Sequence, residues 1–425
     1  MTVAWPDLTR TFARIGVLSF GGPAAQIALM HRELVDQRGW LTEADYLRAL
    51  SFCMLLPGPE AMQLATYAGW KLRGTAGGLI AGGLFVIPGA AVVLVLAMAY
   101  AAFGQVPLVA AVFTGVQAAV LAIVLHALHR LAGRALQGRL HWGVAGASFV
   151  ALFAFNMPFP LVILLAGLIG WAQSRGAVAA FAPDAPPIAA RAWTETRRQT
   201  ATWAAIWLVP LALLGLIERG LLFEIALFFS QLAVVTFGGA YAVLAWMTQA
   251  VVQDKGWLSL PQMIDALGLA ETTPGPLILV TEFVGYLAGH GAGGWRLGLA
   301  AAAVSLWMTF APCFLWIFAG APFISRLDQS PRLSAALAAI TAAVVGVIAN
   351  LSIWFAAHVL FDTVGVFTAG PLHVILPDPG SLAPLATALA ILAAVLVLRL
   401  HWPLPATLAL CGALSGLAAL ILPSS

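Results

Sequence analysis

The chain has 425 residues, of which 62% are hydrophobic and only 9% are charged, with a net charge of +3 and a mean hydropathy of +0.96. Soluble domains carry about 25% charged residues, so this composition excludes a soluble domain and indicates an integral membrane protein. The basic residues are spread through loops rather than massed in one patch, which argues against nucleic acid as a partner.

The apolar segments are long enough for membrane helices and lack the polar and apolar alternation of a membrane barrel, so we expect an all-α polytopic membrane protein in the lipid bilayer. The N-terminus has no charged start followed by an apolar core and cleavage site, so we expect no removable signal peptide. We find no metal-ligand spacing, no Walker A motif and no nucleophile elbow, so we expect no metal, no cofactor and no enzyme activity. The three cysteines, Cys53, Cys313 and Cys411, stand alone and are expected to be core residues.

Three motifs occur twice in one register. They are Phe-Gly-Gly at 20–22 and 237–239, Gly-Trp-Leu at 39–41 and 256–258, and Pro-Gly-Pro at 57–59 and 274–276, and the two copies of each motif are separated by the same interval. A constant interval over three motifs indicates an internal duplication. We call two positions separated by this interval equivalent, as Pro57 and Pro274 are. We divide the chain into a first repeat (1–172), a cytoplasmic linker rich in Arg and Pro (173–200) and a second repeat (201–425).

Counting apolar segments predicts the relation between the two repeats. Between the first Pro-Gly-Pro and the second repeat we expect five spans, near 76–102, 106–126, 142–155, 158–172 and 201–217. Five is odd, so the second repeat is expected to be inverted. Residues 142–172 would also fit one long helix, but Asn156, Pro158 and Pro160 favour two. Counting each glycine and proline motif as one crossing gives about 13 transmembrane segments with the N-terminus inside, although these motifs could also re-enter from one side.

The Pro-Gly-Pro motifs lie inside apolar runs and are expected to break membrane helices. Proline removes an N–H and clashes with the preceding turn, and glycine tolerates unusual backbone angles. A helix that begins after such a break points free N–H groups and a partial positive charge toward it, which suits an anion. Two breaks brought together by inverted symmetry would form one electropositive pocket near the bilayer midplane.

We therefore predict a substrate site built from both pairs of motifs and from two hydroxyls before the second break. Its residues are Gly21, Gly22, Pro57, Gly58, Pro59, Gly238, Gly239, Thr272, Thr273, Pro274, Gly275 and Pro276. Gln26, Gln63 and Gln249 are further candidate donors. The alternative is that the glycines only permit close helix packing.

Three carboxylates lie near the breaks: Glu60, Glu271 and Glu282. Ionisable residues inside membranes are costly and usually functional, and a carboxyl that exchanges a proton beside an anion site would couple the two movements. Helix capping for Glu60, and hydrogen bonding to neighbouring helices for Glu271 and Glu282, are the structural alternatives. Arg14 is expected either to face the cavity or to reach the membrane interface.

The segments FGGPAAQIALMHRELV and GWLTEADYLRALSFCMLLPGPEAMQLATYAGW, with FGGAYAVLAWMTQAVV and GWLSLPQMIDALGLAETTPGPLILVTEFVGY in the second half, resemble the chromate transporter family in its long form with two fused domains. The resemblance implies a multi-pass protein of the cytoplasmic (inner) membrane that exports chromate and confers chromate resistance. It also implies energy from the membrane potential or a proton gradient, as in an antiporter, and functional positions in the Phe-Gly-Gly and Pro-Gly-Pro motifs. A sulfate or other oxyanion importer and an anion channel are the alternatives. The sequence leaves open a homodimer.

Overall fold

A computed structural model describes residues 3–20, 22–174, 190–217, 220–237, 240–324 and 331–421. These residues are overwhelmingly helical, and six of their helices are long and apolar enough to cross a membrane. The chain is therefore a multi-pass helical membrane protein, as its composition predicts.

The helices of the first half are α1 (Trp5–Leu18), α2 (Gly22–His31) with a π-helical extension (Arg32–Gln37), α3 (Glu43–Leu55), α4 (Glu60–Phe103), α5 (Pro107–Ala135), α6 (Arg139–Phe153) and α7 (Phe159–Gln173). Those of the second half are α8 (Ala190–Ile217), α9 (Leu221–Val235), α10 (Ala240–Gln249) with a π-helical extension (Ala250–Asp254), α11 (Leu260–Thr272), α12 (Val280–Gly320), α13 (Pro331–Leu360), α14 (Pro384–Ala394) with a π-helical extension (Val395–Arg399), and α15 (Leu404–Ile421). Short 3₁₀ turns cover Leu277–Leu279, Ala321–Phe323 and Pro379–Ser381.

The helix bounds follow the sequence duplication. α3 and α11 begin at equivalent positions and end at equivalent positions, and both end at a Pro-Gly-Pro break. Asn156 lies between α6 and α7 with a φ of 46°, so residues 142–172 form two helices, as predicted. Residues 190–200 of the predicted linker belong to α8, whereas 175–189 lie outside the described residues.

Each of the two longest helices reverses direction at a glycine. In α4 the turn lies at Arg73 and Gly74, whose φ is 65°, and in α12 it lies at Gly293 and Gly294, whose φ is 76°. A Cβ added to Gly82 would contact the Oγ1 atom of Thr66, a residue that a straight helix would hold about 24 Å away. α4 and α12 are therefore helical hairpins, each with a short first arm after the Pro-Gly-Pro break and a long second arm.

The described chain divides into two compact units that both combine segments of the two repeats. The first unit comprises residues 1–98, 174–243 and 273–334, and in it α8 and α9 pack against α12. Trp203 of α8 stacks on Phe314 of α12 with ring centroids 5.2 Å apart. Both Pro-Gly-Pro breaks belong to this unit.

The second unit comprises residues 99–173, 244–272 and 335–425, with α5 packed against α11, α14 and α15. Small residues allow its helices to approach closely: Gly115 meets the Cys411 carbonyl, and Gly346 meets the Ala145 carbonyl.

The second unit also carries an antiparallel β-hairpin, β1 (Val364–Ala369) and β2 (Leu372–Pro377), turned at Gly370 with a φ of 58°. The helix pattern does not predict this element.

Candidate functional site

The first Pro-Gly-Pro break lies at the tip of a hairpin formed by α3 and the first arm of α4. At the open end, Lys71 Nζ lies 2.8 Å from Asp45 Oδ1, and halfway along, the rings of Phe52 and Tyr67 lie 6.2 Å apart. The hydrogen bond from Lys71 holds the pKa of Asp45 below its usual value. Each arm has about 13 residues, or about 20 Å, and the two contacts show that the arms lie side by side with the break at their shared end. The chain therefore approaches the break through α3 and returns through the first arm of α4 to the side from which it came.

The two repeats exchange backbone hydrogen bonds at their breaks. The N–H of Gly58 donates to the carbonyl of Thr236 at 2.8 Å, and the N–H of Gly275 donates to the carbonyl of Ser19, also at 2.8 Å. Gly58 and Gly275 are equivalent positions, and so are Ser19 and Thr236. The tip of each Pro-Gly-Pro break thus binds the residue just before the Phe-Gly-Gly break of the other repeat.

Two buried glutamines of the first repeat bind the carbonyls at these breaks. Gln63 Nε2 donates to the Pro57 carbonyl at 2.7 Å, whereas Gln26 Nε2 donates to the Gly275 carbonyl at 2.6 Å. Both glutamines are buried, and neither Oε1 atom has a hydrogen-bond partner among the described residues. The equivalent positions of the second repeat hold valines, Val243 and Val280, so only the first repeat supplies these amides.

The glycines of the breaks have backbone angles that other residues avoid. Gly58 has a φ of +120°, Gly275 a φ of +88° and Gly22, at the start of α2, a φ of +77°. A Cβ on Gly58 would lie 2.8 Å from Gln63 Nε2 and 2.9 Å from Cys313 Sγ. Gly21, Gly238 and Gly239 lie outside the described residues.

The second break is more deeply buried than the first. Pro274, Gly275 and Pro276 are all buried, whereas Pro57 is partly exposed. Thr273 is buried beside the second break, and the Thr272 hydroxyl donates to the Leu269 carbonyl at 2.8 Å. Thr272 and Glu271 end α11 and belong to the second unit, while Thr273 to Pro276 belong to the first.

The three candidate coupling carboxylates have different surroundings. Glu60 is partly exposed at the first position of α4, next to the break. Glu271 is buried in the last turn of α11. Glu282 is buried in the first arm of α12 with 4% of its surface exposed, and its Oε2 atom has no hydrogen-bond partner among the described residues.

The sequence interpretation missed two buried carboxylates. Glu33 is fully buried, with its oxygens 3.7 Å from Arg14 Nε and 3.6 Å from Arg38 Nη2, so Arg14 pairs with a carboxylate. Asp265 in α11 accepts hydrogen bonds from Tyr100 at 2.7 Å and Gln117 at 2.9 Å. The signal for Asp265 was an ionisable residue within a largely apolar segment, whereas Glu33 lies among charged residues in the sequence and gave no such signal.

The described residues contain no cluster of His, Cys, Asp or Glu side chains that could hold a metal ion.

A model of the family described as chromate transporter matches residues 6–171 and 223–417, which together cover most of the chain and both breaks. The chain belongs to the chromate transporter family. This confirms the resemblance carried by its paired motifs.

Family members of similar length align over most of the chain. The chromate transport protein of Cupriavidus metallidurans is 30% identical over 84% of both chains. The chromate transport protein of Pseudomonas aeruginosa is 32% identical over 83% of this chain and 81% of its own. An uncharacterized transporter of Bacillus subtilis aligns over 93% of its own length but only 38% of this chain, at 29% identity, so it has the length of one repeat. No solved structure matches this chain.

Proposed function

We propose that this protein is a secondary transporter that exports chromate across the cytoplasmic membrane and thereby confers chromate resistance. The observation that carries the proposal is the reciprocal pair of bonds, Gly58 to Thr236 and Gly275 to Ser19, which joins two broken helices of the two repeats. Membership of the chromate transporter family supports chromate as the substrate, as do the names of the similar proteins.

The anion would be bound by helix N-termini rather than by a permanently charged side chain. The amide hydrogens of Gly58 and Gly275 are already donated to carbonyls, so they fasten the breaks together. The first N–H groups of a helix have no intrahelical acceptor. The Gln63 N–H already donates to the Pro59 carbonyl and the Leu279 N–H to the Pro276 carbonyl, which leaves the N–H groups between them and the prolines for an oxyanion. The Thr273 hydroxyl is the candidate side-chain donor in the same unit, whereas a role for Thr272 stays a prediction from the sequence.

Alternating access would make and break these contacts. The hydrogen bonds at the breaks link backbone to backbone, so they can part without leaving a charge buried in the membrane. The two glutamines bind carbonyls of the breaks and would hold one state of them. A transporter of this kind needs two arrangements of similar free energy, which a few exchangeable hydrogen bonds provide.

The proposed topology has inverted repeats with nine full crossings, because the hairpin of α3 and α4 favours re-entry over crossing at the breaks. The crossings are the second arm of α4, α5, α6, α7, α8, the second arm of α12, α13, α14 and α15. Five of them separate the two sets of breaks, and an odd number inverts the second set. The basic residues Arg130, Arg134 and Arg139 then lie inside and the β-hairpin outside.

Coupling to protons would fall to Glu60, Glu271 and Glu282. Glu282 is the strongest candidate, since it is buried with one oxygen unpaired among the described residues. Sulfate, also a tetrahedral dianion, is the expected competitor.

The test is movement of radiolabelled chromate in sealed inverted membrane vesicles, with and without a proton uncoupler and with excess sulfate. Uncoupler-sensitive accumulation inside the vesicles is the expected result. Passive equilibration indifferent to the uncoupler would show a channel instead, and accumulation of sulfate without chromate would show a different oxyanion transporter.

A further inference from the structure

A cavity of about 240 Å³ lies under the β-hairpin of the second unit. We call it the hairpin cavity. Its walls come from the C-terminal ends of α6, α10 and α13, from the start of α7 and from both strands. Since a water molecule takes about 30 Å³ of liquid, the cavity has room for about eight waters, or for one small polyatomic ion with part of its hydration shell.

The polar lining is neutral and rich in hydrogen-bond donors. It consists of Asn156, Gln249, Gln253, Asn350, His358 and His373. None of the described lining residues is Asp, Glu, Lys or Arg. Ca²⁺ and Mg²⁺ are bound mainly through carboxylates and other oxygens, and no described lining residue supplies a carboxylate, so this lining does not select such a cation. Primary amides provide two N–H donors each and suit an anion that must also be released.

The amides are held in place by contacts within the unit. Gln249 Nε2 donates to Asn156 Oδ1 at 2.6 Å, which aims the NH₂ group of Asn156 away from that bond. Asn156 itself sits in the turn between α6 and α7 with a φ of 46°. The β-hairpin is fixed over the same turn by the His373 N–H, which donates to the Ala154 carbonyl at 2.8 Å.

The two histidines present their second ring nitrogen as a site for a proton. Nδ1 of His358 lies 2.8 Å from the Trp354 carbonyl, and Nδ1 of His373 lies 3.3 Å from the Pro371 carbonyl. A carbonyl accepts, so both Nδ1 atoms carry hydrogen and both Nε2 atoms are bare in the neutral rings. A bare Nε2 cannot donate to an anion, whereas a protonated Nε2 donates and brings a positive charge.

We propose that the hairpin cavity is a second binding site for a tetrahedral oxyanion, held by the amide groups of Asn350 and Asn156 and by the protonated rings of His358 and His373. The identity of the anion rests on the proposed function. Each imidazole takes up one proton from solution as the anion binds, so the neutral rings and the free dianion become a bound, charge-balanced set. Binding therefore consumes protons and strengthens as the pH falls.

No other titratable side chain lines the hairpin cavity within the described residues. Acids on the elements around it are Asp254, beside Gln253, and Asp362 and Asp378, which flank the two strands at the open end of the β-hairpin. The segment from 358 to 381 contains no Lys or Arg. The histidines are therefore the groups through which pH acts on this site.

All the walls of the hairpin cavity lie at the outer face in the proposed topology. An exported anion would pause there before release, and an acidic exterior would hold it longer. The site is thus separate in residues and in unit from the breaks that carry the proposed transport step.

The test is equilibrium binding of radiolabelled chromate and sulfate to the purified full-length protein in detergent, at pH 6 and pH 8. The variants are Asn350→Asp, which adds a repelling charge at constant shape, and the double change His358→Gln with His373→Gln. The matched controls are Gln137→Glu and His129→Gln, because both residues are exposed and outside the lining. Circular dichroism and the elution volume in size-exclusion chromatography check that each variant is folded. If Asn350→Asp fails to fold, the double histidine variant alone provides the test.

We expect two anions per wild-type chain at pH 6, one of which weakens about tenfold or more at pH 8, and a single anion in both cavity variants at either pH. Equal binding and equal pH dependence in wild type and cavity variants would overturn the site while leaving vesicle transport intact. Loss of all chromate and sulfate transport by wild type, with variant-sensitive binding retained, would overturn the proposed function and leave the cavity as an anion site.

Discussion

The backbone amide of Gly275 donates to the carbonyl of Ser19 at 2.8 Å, and the residues at the equivalent positions repeat this bond in the opposite sense, from Gly58 to Thr236. An exchange in which each repeat donates to the other is what a twofold relation produces, whereas repeats related by translation would donate in one direction only. Twofold axes in the membrane plane and along its normal both give such an exchange, so the bonds agree with the proposed inverted repeats but do not distinguish them from parallel ones.

Gly58→Ala and Gly275→Ala are expected to abolish transport. Both glycines have positive φ, where a Cβ costs about 1 to 2 kcal/mol, and the new methyl at position 58 would press on Gln63 and Cys313. Vesicle transport measures function, and thermal unfolding in detergent measures stability. The control is Gly133→Ala, since Gly133 lies in α5 with open space around it, and there alanine should stabilise by about 0.5 to 1 kcal/mol. Full transport by Gly58→Ala would contradict the role of the break.

Gln26→Val places at position 26 the residue found at the equivalent position of the second repeat, Val243. The change removes the buried donor to the Gly275 and Ser19 carbonyls, so we expect a loss of about 1 to 3 kcal/mol of unfolding free energy. Gln137→Val, at an exposed position, should change stability by less than about 0.5 kcal/mol. Denaturant unfolding measures the unfolding free energy of both variants. A Gln26→Val protein as stable as wild type would show that the buried amide is dispensable.

The contacts of His31, in the first unit, predict that the stability of the protein depends on pH. Nε2 of His31 lies 2.6 Å from Glu43, and this hydrogen bond raises the pKa of the imidazole, with Asp36 adding to it. A raised pKa in the folded protein means that the stabilisation is complete below the unfolded value, about 6.5, and is lost as pH rises through the folded pKa. Melting temperature against pH should therefore fall in that window for wild type. His31→Gln should flatten the curve, whereas the exposed His129→Gln should leave it unchanged.

Glu282→Gln tests the proposed coupling. The amide keeps the shape of a buried carboxyl but cannot exchange a proton. We expect chromate to equilibrate across vesicles without uncoupler-sensitive accumulation, which should drop about tenfold or more. Glu195→Gln, on an exposed part of α8, should accumulate chromate as wild type does. Undiminished accumulation by Glu282→Gln would assign this residue a structural role.

The helices and the breaks could be predicted from the sequence, because proline and glycine change the backbone conformation of the residues next to them. α6 and α7 lie within a few residues of the predicted spans for this reason. The partners of the breaks could not be predicted, since the carbonyls of Ser19 and Thr236 look like any others in the sequence and acquire their role only from tertiary packing.

The predicted span near 76–102 begins just after the turn at Gly74, but the sequence did not identify Gly74 or Gly294 as the residues at which the chain reverses. Glycines are common in membrane helices, and only a positive φ marks these two as turns. The β-hairpin did leave a signal: β-branched residues on both sides of Gly370 and Pro371 form the pattern of two short strands around a turn. The charged surroundings of Glu33 depend on Arg14, a contact across a break that spacing does not reveal.

The contacts between the two repeats also determine when the first repeat can complete its hydrogen bonds during synthesis. Gln26 and the residues near it reach the membrane long before Gly275, their partner 249 positions later. At about 5 to 20 residues per second, a ribosome needs on the order of 10 to 50 s to complete that interval. During this delay the carbonyls of the first repeat must be solvated by water or held by the insertion machinery. A chain with one repeat alone would have to find its partner repeat on a second polypeptide. Fusion of the two repeats removes that search, because the partner repeat is synthesised later on the same chain.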